Sequence, residues 1–478
     1  MKKLTWILVC LQLTALSFGQ CTQSETLEKL LALLTKKGVI TAQEAEGLVQ
    51  ELHHTAPAVL PEPPDQTPAQ AGASSGSDTV GSGISSGPPA RAGSQGSSRI
   101  QVSEAIGRFG ILRLRYDTQR RTVDIGNWDR RRPRFRLRFG TQAQLLDSLK
   151  VGFRLVSGSG FQNTTNQSFD GHGRGDMIFI DRVYADWKPA RWFQVYGGKH
   201  KNIFGRTPLV WDTDVNLVGS SQRFVYPGET VRPFANFTQY IIEELNLKAT
   251  SNADPIMFGY QGGIEADLGE DINLESVVSF YDYRYLDLLG PGGIGNITTF
   301  VGYNHNHGQQ MIFNSEGRLL NEFRTLELGA KIRFKHFRYP FSFFGHWIRN
   351  TAADIEKLRR DGVKVPGSDP ARLEAYGDDN RGTGYQFGLE WGCREKKGDL
   401  FLQYFYQALE DYAFPAVFVD SDFHGGGTNN RGHRLWTRYF LVDNVYLQGL
   451  VYFSQRDREA KDGRFDENRV QLDVIFDF

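Results

Sequence analysis

The sequence predicts an all-β protein, a transmembrane antiparallel β-barrel of about 16 strands preceded by a short helical segment and a disordered linker. From residue 100 onward, apolar and polar residues alternate with a period of two, as in strands with one apolar face. Short and long connections also alternate along the chain. After the N-terminal signal, no apolar run approaches the roughly 18 residues of a membrane helix. A closed barrel explains all three observations, because its strands face lipid on one side and water on the other.

The first 19 residues have the features of a secretory signal peptide. Two lysines precede an apolar run, and Ser17 and Gly19 are the small residues expected at the cleavage site. A lipoprotein acylated on Cys21 is an alternative that Gln20 disfavours, since a small residue is expected at that position. Cys21 and Cys393 are then the only cysteines of the exported chain, and they either pair or stay free.

Two further regions precede the barrel, which we assign to residues 100–478. Residues 20–53 carry a leucine stripe with helical spacing and a TAQE capping box, and predict a helical periplasmic segment. This segment either packs on itself or serves as a module for oligomerisation or cell-wall contact. Residues 54–98 are rich in Pro, Ala, Gly and Ser, which predicts a flexible linker because such a composition buries little apolar surface.

The alternation within the barrel region is clear in the stretch PRFRLRFGTQAQLL. Phe135, Leu137 and Phe139 share one face, and Arg136 and Arg138 share the other. A soluble β-sandwich or propeller is disfavoured by the aromatic residues on the apolar face of nearly every strand. Long connections are predicted at roughly 118–132, 158–176, 200–213, 286–322, 350–382, 411–432 and 456–466.

Residues 151–221 resemble the putative porin family of Gram-negative outer membranes. The likeness rests on Asp181-Arg182-Val183-Tyr184, on Gly197-Gly198-Lys199 and on the pair Trp211-Asp212. The resemblance implies an outer-membrane protein with a water-filled channel for passive diffusion of small polar or charged solutes. It also implies a homotrimer in contact with outer-membrane lipid and lipopolysaccharide. The alternative is a surface adhesin or receptor barrel with a plugged lumen.

The apolar faces of the first strands, if they contact lipid, direct a set of arginines into the lumen. Such a ladder would raise the local anion concentration and bias the channel toward anions. In the alternative interpretation, these arginines pair with lumen carboxylates such as Asp186, Glu265, Glu275 or Glu327 and stiffen the wall. The predicted pore-lining residues are Arg113, Arg115, Arg136, Arg138 and Arg154.

The third long connection is a candidate constriction loop by analogy with general porins, in which the third loop folds into the barrel. Charges of both signs across a narrowing would orient polar solutes. Alternatively, the loop is exposed and its charges are solvated. The candidate residues are Lys199, Lys201, Arg206, Asp212 and Asp214.

The sequence predicts no catalytic, cofactor or metal site, and no enzymatic activity. The GPGGIG stretch at 290–295 is not followed by a helix, so it lacks the dipole that would bind a pyrophosphate. Asp420 and Asp422 are only weak candidates for contacting a cation. The chain has 55 basic and 55 acidic residues, which gives no indication of nucleic-acid binding.

The last nine residues, VQLDVIFDF, predict the final barrel strand. We expect it to pair with the first strand near residues 109–116, so that no sheet edge remains. Phe476 and Phe478 resemble the signal by which the barrel assembly machinery recognises its clients. This interpretation predicts that Phe478→Asp impairs assembly without affecting synthesis.

Overall fold

The computed structural model describes most of the region assigned to the barrel. The predicted signal peptide, helical segment and linker, and also Arg206, lie outside the described residues. No helix in the described part of the chain is both long and apolar enough to cross a membrane. The described residues are 106–123, 126–158, 164–169, 177–205, 207–245, 254–290, 299–307, 309–336, 339–364, 370–456 and 465–478.

Within these residues, sixteen long strands and one two-residue strand form a single antiparallel sheet. The first eight long strands are β1 (Ile106–Val123), β2 (Gly126–Leu146), β3 (Leu149–Ser157), β5 (Ile178–Ala190), β6 (Phe193–Lys201), β7 (Asn216–Val225), β8 (Val231–Ile241) and β9 (Ile256–Asp267). The others are β10 (Ile272–Arg284), β11 (Arg324–Phe334), β12 (Phe341–Asn350), β13 (Thr383–Gly392), β14 (Leu400–Leu409), β15 (Asn430–Val442), β16 (Val445–Arg456) and β17 (Phe465–Asp477). The short β4 (Gln167–Ser168) pairs with β2.

The sheet closes on itself because β1 pairs with both β2 and β17. The β1–β17 register runs from Ile111 opposite Asp477 to Val123 opposite Phe465. Closure gives each of the sixteen long strands two neighbours. The prediction of an all-β barrel of about 16 strands is therefore confirmed.

Connection length alternates around the barrel. We call the end with the short connections, such as 147–148 and 443–444, the turn end, and the opposite end the loop end. The long connections contain the two described helices, α1 (Thr299–Asn306) and α2 (Ile355–Asp361). They also contain four short 3-10 helices, Leu286–Leu289, Pro370–Tyr376, Ala416–Phe418 and Phe423–Gly425.

One predicted connection is wrong. The stretch 118–132 is not a loop, since β1 continues to Val123 and β2 begins at Gly126, with Thr122 opposite Asn127 in the extended ladder. Polar residues on both faces suggested a loop in the sequence. They fit a strand pair here because Gln119 on the inner face donates to Glu467 of β17 at 2.6 Å.

The outer face of the barrel is apolar over most of its circumference. Large side chains such as Ile180, Trp187, Phe343, Phe387 and Leu472 are exposed there. The residues between them in sequence point inward and are mostly polar. This arrangement reproduces the period of two in the sequence and suits a barrel with lipid outside and polar groups within.

Candidate functional site

The five predicted pore-lining arginines all lie on the inner face of β1–β3. Strand register explains their proximity, because Arg113 of β1 lies directly opposite Arg136 of β2. Four of them are more than nine-tenths buried within the barrel, and the Arg136 side chain is 12% exposed. We call this set the arginine wall: Arg113, Arg115, Arg136, Arg138 and Arg154.

Four arginines of the wall pair with aspartates that the sequence did not single out as partners, whereas Arg113 donates to the side-chain oxygen of Asn166. Arg115 contacts Asp473 of β17 at 2.7 Å and Asp422 of a long connection at 2.9 Å. Arg154 is paired with Asp181 of β5. Of the partners considered from the sequence, Asp186 accepts a hydrogen bond from Gln194. Each aspartate that pairs with the arginine wall therefore joins it either to a neighbouring strand or to a loop.

Loop 202–215 crosses the barrel interior. At one side, the Trp211 ring packs against Tyr281 of β10, with ring centroids 5.5 Å apart. At the other side, the Asp214 carboxylate accepts hydrogen bonds from Arg138 at 2.7 Å and from Arg136 at 3.2 Å on β2. Because β2 and β10 lie on nearly opposite sides of the sixteen-strand ring, this loop narrows the lumen across its width.

Loop 410–429 also folds inward and interlocks with loop 202–215. The Asp212 N–H donates to the Phe418 carbonyl at 2.7 Å, and the Ser421 N–H donates to the Asp212 carboxylate at 2.9 Å. Phe418 packs on Trp211 with ring centroids 5.4 Å apart. Asp422 then pairs with Arg115 and, at 3.0 Å, with Arg469. Two loops thus meet in the lumen and dock together on the charged side of the barrel.

The two loops use the same short motif, Asp-x-Asp. In each copy the first carboxylate accepts a hydrogen bond from the backbone N–H of the second aspartate, at 2.8 Å in both Asp212–Asp214 and Asp420–Asp422. The second aspartate of each copy turns toward arginines. The motif therefore fixes a tight turn and presents one carboxylate to the barrel wall.

Burial and neighbouring charges shift the pKa values of these aspartates in opposite directions. Burial raises the pKa of Asp212 well above its usual value, and the charges of Asp214 and Asp420 raise it further. Burial also acts to raise the pKa of Asp214, but Arg138 and Arg136 outweigh it and the net pKa is lowered. Asp214 is thus the ionised partner of the wall, whereas Asp212 favours its protonated form.

The buried surface behind the loops is a large apolar cluster on the inner face of β8–β10 at the loop end. It joins loops 202–215 and 410–429 to the connection 285–323. Its members include Tyr240, Met257 and Tyr281 from the strands and Trp211, Leu289, Phe300, Met311, Phe414 and Phe418 from the connections. The lumen therefore has an apolar, loop-filled side and a charged side.

A second group of arginines lies on the inner wall of β15 and at the adjacent turn end. The guanidinium carbon of Arg438 is 5.0 Å from the Trp436 ring centroid and 4.4 Å from that of Tyr446. Arg394 lies 4.6 Å above Phe401. In the described part of the chain, neither Arg394 nor Arg438 has a carboxylate oxygen within 4.0 Å. Aromatic faces hold these two cations in place without neutralising them.

The predicted constriction residues are not all brought together. Asp212 and Asp214 lie in the lumen, as described above. Lys199 and Lys201 belong to strand β6 rather than to the loop. Lys199 lies on the outer face, since its register partners Val183 and Val218 are both exposed apolar residues. The alternation of the strand directs Lys199 away from the lumen.

The described residues offer no sign of metal chemistry. Among them, no group of three or more His, Cys, Asp or Glu side chains has an arrangement that could hold a metal ion. Asp422, considered from the sequence as a cation ligand, is paired with arginines instead. Sequence reasoning missed loop 410–429 as part of the constriction, although the repeated Asp-x-Asp after an apolar residue, WDTD and VDSD, was a detectable signal.

Comparisons with solved structures find bacterial outer-membrane proteins with distant sequences. OmpF of Salmonella typhi, solved with daunomycin, has 9% identity and a TM-score of 0.44, with 78% of this chain and 97% of that chain covered. OprB of Pseudomonas putida has 10% identity and a TM-score of 0.45, with 80% and 97% covered. A loop L8 deletion mutant of OmpT of Vibrio cholerae has 10% identity and a TM-score of 0.39, with 78% and 99% covered.

No curated protein matches the sequence. The family profile described as putative porin does match, over residues 115–288 and 295–478. These two segments cover nearly the whole barrel, including both inward loops and every arginine of the wall except Arg113. The chain therefore belongs to the putative porin family, and it is a porin-like barrel of the bacterial outer membrane.

Proposed function

We propose that the protein is a porin that forms a water-filled channel for passive diffusion of small polar or charged solutes, with a bias toward anions. The observation that carries the anion bias is the presence of interior arginines without acidic partners. Arg438 has no carboxylate within 4.0 Å among the described residues, and Arg136 shares the single carboxylate of Asp214 with Arg138. A lumen lined by such groups attracts small anions.

The arrangement of the two sides suggests a path for the solute. The apolar cluster occupies the side of β8–β10, whereas the charged side runs from β15 through β17 to β3. A charged solute would lose hydration against the cluster but keep polar contacts along the charged side. We therefore place the solute path along the arginines. We propose a passive channel that does not alter the solute chemically.

Purified protein in a planar lipid bilayer tests this function. We expect stepwise, ohmic currents and, in a potassium chloride gradient, a reversal potential that indicates preference for chloride. The double variant R136Q/R138Q should shift that potential toward cation preference. A channel whose reversal potential does not change would retain the diffusion function and refute the role of these arginines in selectivity.

A second function is favoured by one observation. Loop 202–215 reaches from β10 to β2 and is locked to loop 410–429, as expected for a surface adhesin or receptor barrel with a plugged lumen. The same bilayer experiment separates the two functions. Absence of current at high salt, from protein that shows the heat-modifiable gel migration of a folded barrel, would support the plug and refute the channel.

We further propose that the protein has the partners expected from its sequence. The barrel is inserted by the barrel assembly machinery, contacts lipid and lipopolysaccharide, and assembles as a homotrimer. Light scattering on the detergent-solubilised protein measures the number of copies. A mass of one barrel would refute the trimer without affecting the channel.

A further inference from the structure

The outer face of β5–β8 differs from the rest of the barrel surface. Most of this face carries large apolar side chains, but here a row of small residues, Ala185, Gly197 and Ser220, crosses three neighbouring strands. A Cβ atom added at Gly197 would meet no heavy atom within 4 Å, so the surface is shallow at this point. Small residues of this kind allow another backbone to approach closely.

Polar side chains continue the same row. The Gln222 amide nitrogen donates to the Ser220 hydroxyl at 3.3 Å, and that hydroxyl donates to the Gln239 carbonyl oxygen at 3.4 Å. Lys199 lies on the same face and donates to the Ile180 carbonyl at 3.0 Å. We call Lys199, Ser220, Gln222 and Gln239 the polar stripe.

The polar stripe lies within the height of the apolar belt. Phe224, on the same face of β7, marks the turn end of the belt, where it packs on Phe193 with ring centroids 4.9 Å apart. At about 3.3 Å per residue, Gln222 and Ser220 are about 7 and 13 Å along the strand from Phe224. The belt of an outer-membrane barrel is about 25 Å tall, so both residues face the hydrocarbon region.

Hydrocarbon cannot satisfy the hydrogen-bonding groups that remain. Among the described residues, the Gln222 side-chain oxygen is buried and accepts no hydrogen bond, and the amide nitrogen of the exposed Gln239 donates none. A polar group without a partner is costly, whether it is buried or faces lipid. The stripe therefore fits a surface that is covered by protein rather than by lipid.

An apolar groove borders the stripe and extends the same surface. Its volume is about 470 Å³, its floor includes Ala235 and Gly262, and its walls include Phe237 and Tyr260. The outer face of four strands at about 4.8 Å spacing over a 25 Å belt covers on the order of 500 Å² per copy. Two such faces together reach the roughly 1,000 Å² of a specific interface.

We propose that the outer face of β5–β8, with the polar stripe at its centre, is the contact surface for a second copy of this chain. Because amide groups both donate and accept hydrogen bonds, the polar stripes of two copies can hydrogen-bond to each other. Copies inserted in the same direction are related by an axis along the membrane normal. When that axis runs beside the stripe, the stripes face one another. The contact joins identical barrels in one membrane plane.

Disulfide cross-linking in isolated outer membranes tests the proposal. In a background with Cys21→Ser and Cys393→Ser, Ser220→Cys places a thiol in the stripe. Leu447→Cys is the matched control, because Leu447 is an outward-facing residue of β16, far from β7 in the ring, and is 42% exposed. After oxidation we expect covalent dimers for S220C, and monomers for L447C, on a non-reducing gel.

Two results would overturn the proposal. One is S220C protein that stays monomeric, which would indicate that lipid or lipopolysaccharide covers the stripe. The other is equal cross-linking of both variants, which would indicate random collision. A second variant, Q222L/Q239L, removes the polar groups, and we expect light scattering to show a shift toward the mass of one barrel. Its heat-modifiable migration verifies that it is folded, and bilayer currents report separately on the channel.

Discussion

The Asp212 carboxylate accepts a hydrogen bond from the backbone N–H of Ser421 at 2.9 Å, so that two loops 209 residues apart in sequence are joined inside the barrel. The same carboxylate fixes its own loop by accepting from the Asp214 N–H at 2.8 Å. Asp212 thus holds loop 202–215, which narrows the lumen, against loop 410–429. This carboxylate is therefore one of the groups that fix the two loops to each other.

Replacement of Asp212 by alanine should loosen this contact. Both backbone donors lose their acceptor, so we expect a larger mean single-channel conductance and more frequent transitions between conductance levels. Asp378→Ala is the control, because Asp378 is an exposed residue of a long connection at the same end of the barrel and the same side chain is removed. If both variants behave like the unaltered protein, Asp212 does not limit loop movement.

The contact should also respond to pH. Burial, followed by the charges of Asp214 and Asp420, raises the pKa of Asp212 in the docked loop. The protonated form therefore favours docking, and docking weakens as the pH rises from about 4, the ordinary pKa of an aspartate, through the raised value. We expect conductance to increase over this interval.

Asp212→Asn supplies the control for the pH experiment, because the amide cannot ionise. Its conductance should stay constant over the same interval. Asp214 and Asp422 have lowered pKa values, so they become protonated and lose their ion pairs with arginines only at a pH below the ordinary pKa of an aspartate. Conductance that rises equally with pH in D212N would assign the response to another group.

Substitution of a buried aspartate where β1 meets β17 should destabilise the protein more than substitution of an exposed one. Asp117 is buried and accepts hydrogen bonds from Arg469 at two positions, both at 2.8 Å. Asp117→Asn leaves Arg469 without this partner and should lower the free energy of unfolding by about 3–5 kcal/mol. Asp129, which pairs with Arg120 in an exposed position, is the control. Asp129→Asn should leave the urea midpoint unchanged, since exposed pairs contribute little.

Trp211 should stabilise the loops more than the barrel. It is fully buried and contacts Tyr281, Phe414 and Phe418. Trp211→Ala removes packing worth about 3–5 kcal/mol, mostly from the docked loops. We expect faster proteolysis of loops 202–215 and 410–429 while heat-modifiable migration is kept. Trp347→Ala, on the outer face, should leave loop proteolysis unchanged.

Arg438 should contribute to anion preference from a position outside the arginine wall. It is held by Trp436 and Tyr446 and has no acidic partner among the described residues. We expect Arg438→Gln to lower the chloride-to-potassium permeability ratio calculated from the reversal potential. Arg349→Gln removes the same charge from the outer face and should leave the ratio unchanged. Equal effects in both variants would assign the preference to overall charge.

Local sequence patterns predicted most of the strands. Alternation placed the five arginines on one face because side-chain direction in a strand follows from position alone, and Arg113 and Arg136 indeed lie opposite each other. The same rule, applied to Lys199, would have excluded it from the constriction. Its assignment to the loop came from analogy rather than from alternation.

Local sequence patterns could not predict the contacts between distant segments of the chain. The partner of Asp212 is Ser421, and the partner of Arg115 is Asp473, 358 residues away. No periodicity indicates which loop folds inward, because that depends on the apolar surface available within the lumen. The prediction of a loop at 118–132 was wrong for a related reason. The sequence of the β1–β2 hairpin alone does not show that its inner-face residues have partners on β17.

The seam between β1 and β17 has a consequence for the timing of assembly. Arg115 and Asp117 find their partners Asp473 and Arg469 only when the last strand to be synthesised reaches the first. Before that moment, Arg115 and Asp117 lack these two partners, and long-range pairing of this kind is slow. We therefore expect these ion pairs to form only when β17 pairs with β1. An intermediate released before that step would lack the ion pairs as well as the closed sheet.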